Sequence, residues 1–73
     1  MSPKLPRLRS AEVVRLLQSC GFVKDHQTGS HAVFRHPDGR RTTVPMHQGK
    51  TLGLGLLRQI LRDADINPNS IRR

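Results

Sequence analysis

Residues 22–46 read FVKDHQTGSHAVFRHPDGRRTTVPM, and the turn signals inside this stretch decide the fold. Thr28-Gly29 supplies a two-residue hairpin loop, with Gly29 free to take a positive φ. Pro37 presets φ for a type I turn, Asp38 suits the next position, and Gly39 takes the left-handed bulge. Residues 22–27, 30–36 and 40–46 therefore predict an antiparallel meander, the last segment favoured by Thr42, Thr43 and Val44. Val33 and Phe34 point to opposite faces of the middle strand, and both are apolar. Alternation thus leaves its buried face open.

Helical patterns flank the meander. Ser10 is the expected N-cap of a helix over residues 11–20, with Glu12 in the first turn opposing the dipole. Val13, Val14, Leu17 and Cys20 recur at helical spacing, Cys20 as a small core residue, and Gly21 follows at a left-handed C-terminal position. A second helix starts near Leu54 or Gly55 with an apolar stripe of Leu56, Leu57, Ile60, Leu61 and Ala64, and Asn67-Pro68 stops it. The order predicts an α+β fold, α-β-β-β-α, in which a three-stranded antiparallel sheet carries two helices on one face. Residues 1–73 are expected to form one domain, with 1–9 as an extended basic arm and 67–73 as a C-terminal tail.

Composition bounds the partners. The chain has 73 residues, with 13 Lys and Arg against 5 acids and a formal charge of +8. Such an excess draws in polyanions, nucleic acid first among them. Phe22 and Phe34 are the only aromatics, which argues against base-stacking platforms, so binding should rest on phosphates and shape. No stretch is long enough to span a membrane, and no basic helix face carries aromatic anchors. One cysteine cannot form an internal disulfide, and the start at Met1-Ser2-Pro3-Lys4 has no apolar leader core. A cytoplasmic location is expected.

His26, His31, His36 and His47 invite a metal reading. The odd offset from His31 to His36 sends them to opposite sheet faces, and no clustered thiolate or carboxylate completes a sphere. We expect no metal and no other cofactor, and read His36 as a solvated turn residue. His31 is the stronger candidate. With Thr28-Gly29 as the loop, His26 faces it across the ladder, and Arg35 and Arg41 stand near. That setting disfavours double protonation and leaves His31 able to accept a proton at about pH 7. Lys50 beside Gly49 suits a phosphate or is a solubilising loop lysine. His47 is either a second proton carrier or a structural loop histidine.

Taken in order, several motifs resemble one family. Gly29-Ser30-His31 is followed by Phe34-Arg35-His36-Pro37-Asp38-Gly39-Arg40, by Val44-Pro45 and by His47-Gln48-Gly49-Lys50. Leu56-Leu57-Arg58-Gln59-Ile60-Leu61-Arg62-Asp63-Ala64 closes the series. From Ser10 to about Ile66 the chain resembles the HicA toxins, mRNA interferases of type II toxin–antitoxin modules. The resemblance implies a double-stranded-RNA-binding-domain-like fold and metal-independent endoribonuclease activity, with His31 as the catalytic histidine. It also implies a HicB antitoxin that covers the site. Substrate contacts are expected from Gly29, Ser30, Arg35, Arg41, His47 and Lys50, with RNA as the substrate.

This chain departs from the family pattern at three places. His26 stands where many members carry Arg, Asp65 where many carry Gly, and Leu52, Gly53 and Leu54 where charged residues are usual. Charge and fold alone also fit a non-catalytic RNA-binding module, or an adaptor that docks an acidic partner. His31 and its setting separate the enzyme from both.

Overall fold

A computed structural model describes residues 5–71. Helix α1 (Ser10–Ser19) leads into strands β1 (Val23–Thr28), β2 (His31–Arg35) and β3 (Arg41–Pro45). Helix α2 (Leu54–Asp63) and a 3₁₀ turn (Pro68–Ser70) complete the chain. The strands form one antiparallel sheet in the order β1-β2-β3. This is the predicted α-β-β-β-α arrangement.

Packing settles what alternation left open. Ala32 and Phe34 of β2, with Thr42 and Val44 of β3, are buried beneath the helices. His31, Val33 and Arg35 therefore face the other way. Val33 still falls to 9 % exposure, because β2 is the middle strand and both neighbours crowd it. The helices meet the core along stripes of Val13 and Leu17 on α1 and Leu57, Ile60 and Leu61 on α2. Burying Phe22 and Phe34 contributes about 1.5–3 kcal/mol each, a large share for so small a domain.

Several expectations need correction. Leu56 of the predicted stripe is 37 % exposed, because Leu57 takes the inward position. Cys20 is exposed; the helix ends there, and Phe22 fills the core instead. Ser10 is not the cap. It is the first helical residue and is buried, with Arg9 at the cap and the Arg9 N–H donating to Glu12 Oε1 at 3.0 Å. Residues 1–4 of the expected arm lie outside the described residues, as do 72 and 73 of the tail. Residues 5–9 are not a free arm: Leu8 is buried, its carbonyl takes the Leu52 N–H at 2.8 Å, and Arg9 bridges to Thr51. Leu52, read as an apolar loop residue, is part of the same core.

His36 is also more than a solvated turn residue. Its ring meets Phe22 edge-on at 5.2 Å, and its Nδ1 accepts the Asp38 N–H at 3.1 Å. A Cβ at Gly21 would come within 2.9 Å of His36 Nε2, and Gly21 has φ +94°. The positive φ favours glycine there, and a Cβ would also have to push the end of the His36 ring aside. Arg40 lies over the Phe22 ring at 5.2 Å and donates to Asp38 and to the Ala64 carbonyl at the end of α2. One arginine thus ties the β2–β3 turn to the second helix.

Beyond α2 the chain turns through Asp65 at φ +56°. The Asp65 N–H reaches the Arg62 carbonyl and the Ile66 N–H the Leu61 carbonyl, closing the helix as a glycine would. A Cβ in this region is strained. Asp65→Gly is expected to stabilise the domain by about 0.5–1 kcal/mol. A thermal melt should show a rise of several degrees, at roughly 4–8 °C per kcal/mol; an unchanged or lower Tm would contradict the strain.

Candidate functional site

The β1–β2 turn sets the position of His31. Gly29 and Ser30, not Thr28 and Gly29, form the loop, with Gly29 at φ +59°. Thr28 then pairs with His31, and His26 pairs with Val33. The expected His26–His31 pair is absent, because the loop is one residue later; a bulge between Lys24 and His26 shifts only the partners of the residues before it. His26 turns instead to Asp25, with Nδ1 2.8 Å from Oδ2. His31 is exposed, and among the described residues no hydrogen bond engages its ring.

His31 opens onto a groove of about 650 Å³ between β3, the 47–53 loop and α2. Arg41, His47 and Lys50 line it with His31. Four of the seven residues named from sequence are therefore gathered in one place. Gly29 and Ser30 shape the approach without lining the groove; the Ser30 carbonyl takes the Met46 N–H at 2.5 Å and pins the turn to the end of β3. Arg35 is not gathered. It sits at the far end of β2, opposite Arg41, with Nη2 3.7 Å from Asp25 Oδ2.

The counter-charges stand mostly elsewhere. The hydrogen bond from His26, then the charge of Arg35, hold the Asp25 carboxyl below its ordinary value. The Arg40 backbone N–H does the same for Asp38 at the other turn. Asp63 is the one carboxylate on the groove wall, where it accepts the Thr42 hydroxyl at 3.2 Å. The groove therefore keeps two cations and two imidazoles against one hydrogen-bonded acid. Among the described residues, no group of three or more His, Cys, Asp or Glu is gathered as a metal site.

Sequence reasoning missed Ser10. Its hydroxyl donates to the Pro45 carbonyl at 2.5 Å and accepts the His47 N–H at 3.3 Å. Pro45 pairs with His31 across the sheet, so one buried hydroxyl holds the groove wall on which both histidines depend. A serine at a helix start reads locally as a cap, and nothing in the sequence pairs it with residues 35 and 37 positions away. Thr42, Thr51, Gln59 and Leu56 also line the groove unannounced.

The α+β fold thus gathers two imidazoles and two cations in one open groove. Residues 10–66 match the model of a family described as the HicA toxin of bacterial toxin–antitoxin systems. The chain belongs to the HicA toxin family, and it is the toxin of such a system, with an antitoxin as its counterpart. A search of the curated proteins finds no match. Among the described residues, no helix is long and apolar enough to cross a membrane.

Removing the Ser10 hydroxyl leaves the half-buried Pro45 carbonyl and the His47 N–H short of a partner, at a cost of about 1 kcal/mol or more. Ser10→Ala is expected to lower Tm by at least several degrees and to shift the His47 amide resonance in NMR spectra. An unchanged melt with an unmoved His47 signal would refute the latch.

Proposed function

We propose that this toxin is a metal-independent endoribonuclease, an mRNA interferase, with His31 as its catalytic base. The supporting observation is the gathering of His31, Arg41, His47 and Lys50 around one groove. Arg41 and Lys50 draw an RNA phosphate into that groove and spread its charge. The His31 imidazole takes the proton of the adjacent ribose 2′-hydroxyl. The freed oxygen attacks the neighbouring phosphorus, and the bond from phosphorus to the 5′-oxygen breaks. The departing oxygen takes up a proton, which His47 on the same groove wall supplies. The products are a 2′,3′-cyclic phosphate and a 5′-hydroxyl end.

His31→Ala is expected to cut RNA cleavage by on the order of 10²–10⁴-fold while circular dichroism stays unchanged, since an exposed ring is removed. Cleavage should survive EDTA and fall steeply with salt, as phosphate contacts lose their counterion-release advantage. Full activity in the alanine variant, or activity that chelation stops and Mg²⁺ restores, would overturn the histidine mechanism.

Silencing follows from the same surface. We infer that a HicB-like antitoxin covers the groove, meets its cations with acidic groups, and uses Leu54 and Leu56, which remain exposed beside it, as apolar anchors. Arg41→Glu with Lys50→Glu is expected to weaken RNA cleavage and antitoxin affinity together, each by more than tenfold. Calorimetry of the antitoxin complex checks the second effect; unchanged antitoxin affinity would place inhibition on another face.

A further inference from the structure

A second group of cations stands beside the groove. Arg7, Arg9 and Arg15 line a concavity of about 490 Å³ together with Ala11, Glu12 and Thr51. Thr51 lines the His31 groove as well, so the two depressions are neighbours that share one wall residue. The placement of these arginines follows from the docking of residues 5–9. Leu8 is buried and its carbonyl is fixed by the Leu52 N–H, while the bridge from Arg9 to Thr51 holds the next residue. On an extended segment the neighbours of an inward residue point outward, and Arg7 and Arg9 are both exposed. Arg15 joins them from α1, on the face that Ala11 shares.

These cations are uncommitted. Arg35 and Arg40 are tied to Asp25 and Asp38, whereas no ion pair joins Arg7, Arg9 or Arg15 to a carboxylate among the described residues. Glu12, the one acid in the concavity, receives the Arg9 backbone N–H, and the net charge there stays positive. Arg7 and Arg9 are spaced by about 6.6–6.8 Å along the extended chain, on the scale of successive phosphates in a nucleic-acid strand. The backbone pairing fixes the segment in advance, so less ordering entropy is lost on binding.

We propose that Arg7, Arg9 and Arg15 form an outlying phosphate site that holds the RNA strand where it leaves the His31 groove past Thr51. This rests on the ribonuclease reading of that groove. The site gives the toxin a preference for long substrates over short ones, because only a strand extending beyond the reacting phosphate reaches it.

The test measures RNA binding by fluorescence anisotropy in the full chain carrying His31→Ala, across about 50–200 mM salt. Two mixed-sequence single strands serve as probes, one of about four nucleotides and one of about sixteen. Combined Arg7→Ala, Arg9→Ala and Arg15→Ala is expected to weaken the long strand by roughly tenfold or more. It should lower the slope of log affinity against log salt by about two, the value for three lost contacts on a single strand. The short strand should bind unchanged, and the matching triple lysine variant should keep the original slope. An unaltered slope on the long strand overturns the site, as does a triple alanine variant that loses only affinity for an acidic polyglutamate peptide. If the chain with its arginines intact binds neither strand, the ribonuclease reading falls and this site with it. Intact binding with no effect of the substitutions removes the outlying site alone.

Discussion

Strand β2 places Ala32 and Phe34 under both helices, and the two-residue period of a strand leaves His31, Val33 and Arg35 no choice of face. A slip of one residue would bury the histidine and expose the phenylalanine. The core thus specifies the site: the free energy that holds Phe34 inside also holds His31 outside. From there the position of His31 is handed across the ladder to Pro45, and through the Ser10 hydroxyl to α1 and His47. Each link is a hydrogen bond or a packed side chain.

Charge is sorted over the same frame. Asp25 is engaged by His26 and Arg35 at one end of the sheet, and Asp38 by Arg40 at the β2–β3 turn. These pairs are exposed and contribute little to stability. Their importance lies in keeping two of the five acids off the groove wall. The positive field left behind spans the groove and, past Thr51, the concavity of Arg7, Arg9 and Arg15. Along that path no ion pair engages Arg41, Lys50, Arg7, Arg9 or Arg15 among the described residues, whereas Arg35 and Arg40 have carboxylate partners.

Element order and the turn glycines were legible from local chemistry, because each depends on residues close in sequence. Arg41, His47 and Lys50, named from the sequence as expected substrate contacts, do line one groove with His31, because the third strand and the loop after it form its wall. The hairpin register was not legible. Gly29 satisfies a positive φ as the second loop residue or as the first, and the type II′ preference for a first-position glycine was the available signal. The later loop alone moves His26 from His31 to Val33, and the bulge at Asp25 shifts only Lys24 and Val23 beyond it. Ser10, Leu8 and His36 were misread for one shared reason. Each has a plausible local role as cap, arm or turn residue, and a tertiary contact with a distant segment overrides it.

The central claim is that His31 drives attack by the ribose 2′-oxygen, and the ends of the cleaved RNA report on it most directly. Mass spectrometry of products from a defined oligoribonucleotide should find 2′,3′-cyclic phosphate and 5′-hydroxyl termini, with no cleavage where the ribose carries 2′-hydrogen. Products bearing 3′-hydroxyl and 5′-phosphate ends would mean that water, not the substrate's own hydroxyl, attacks phosphorus, and would contradict the account.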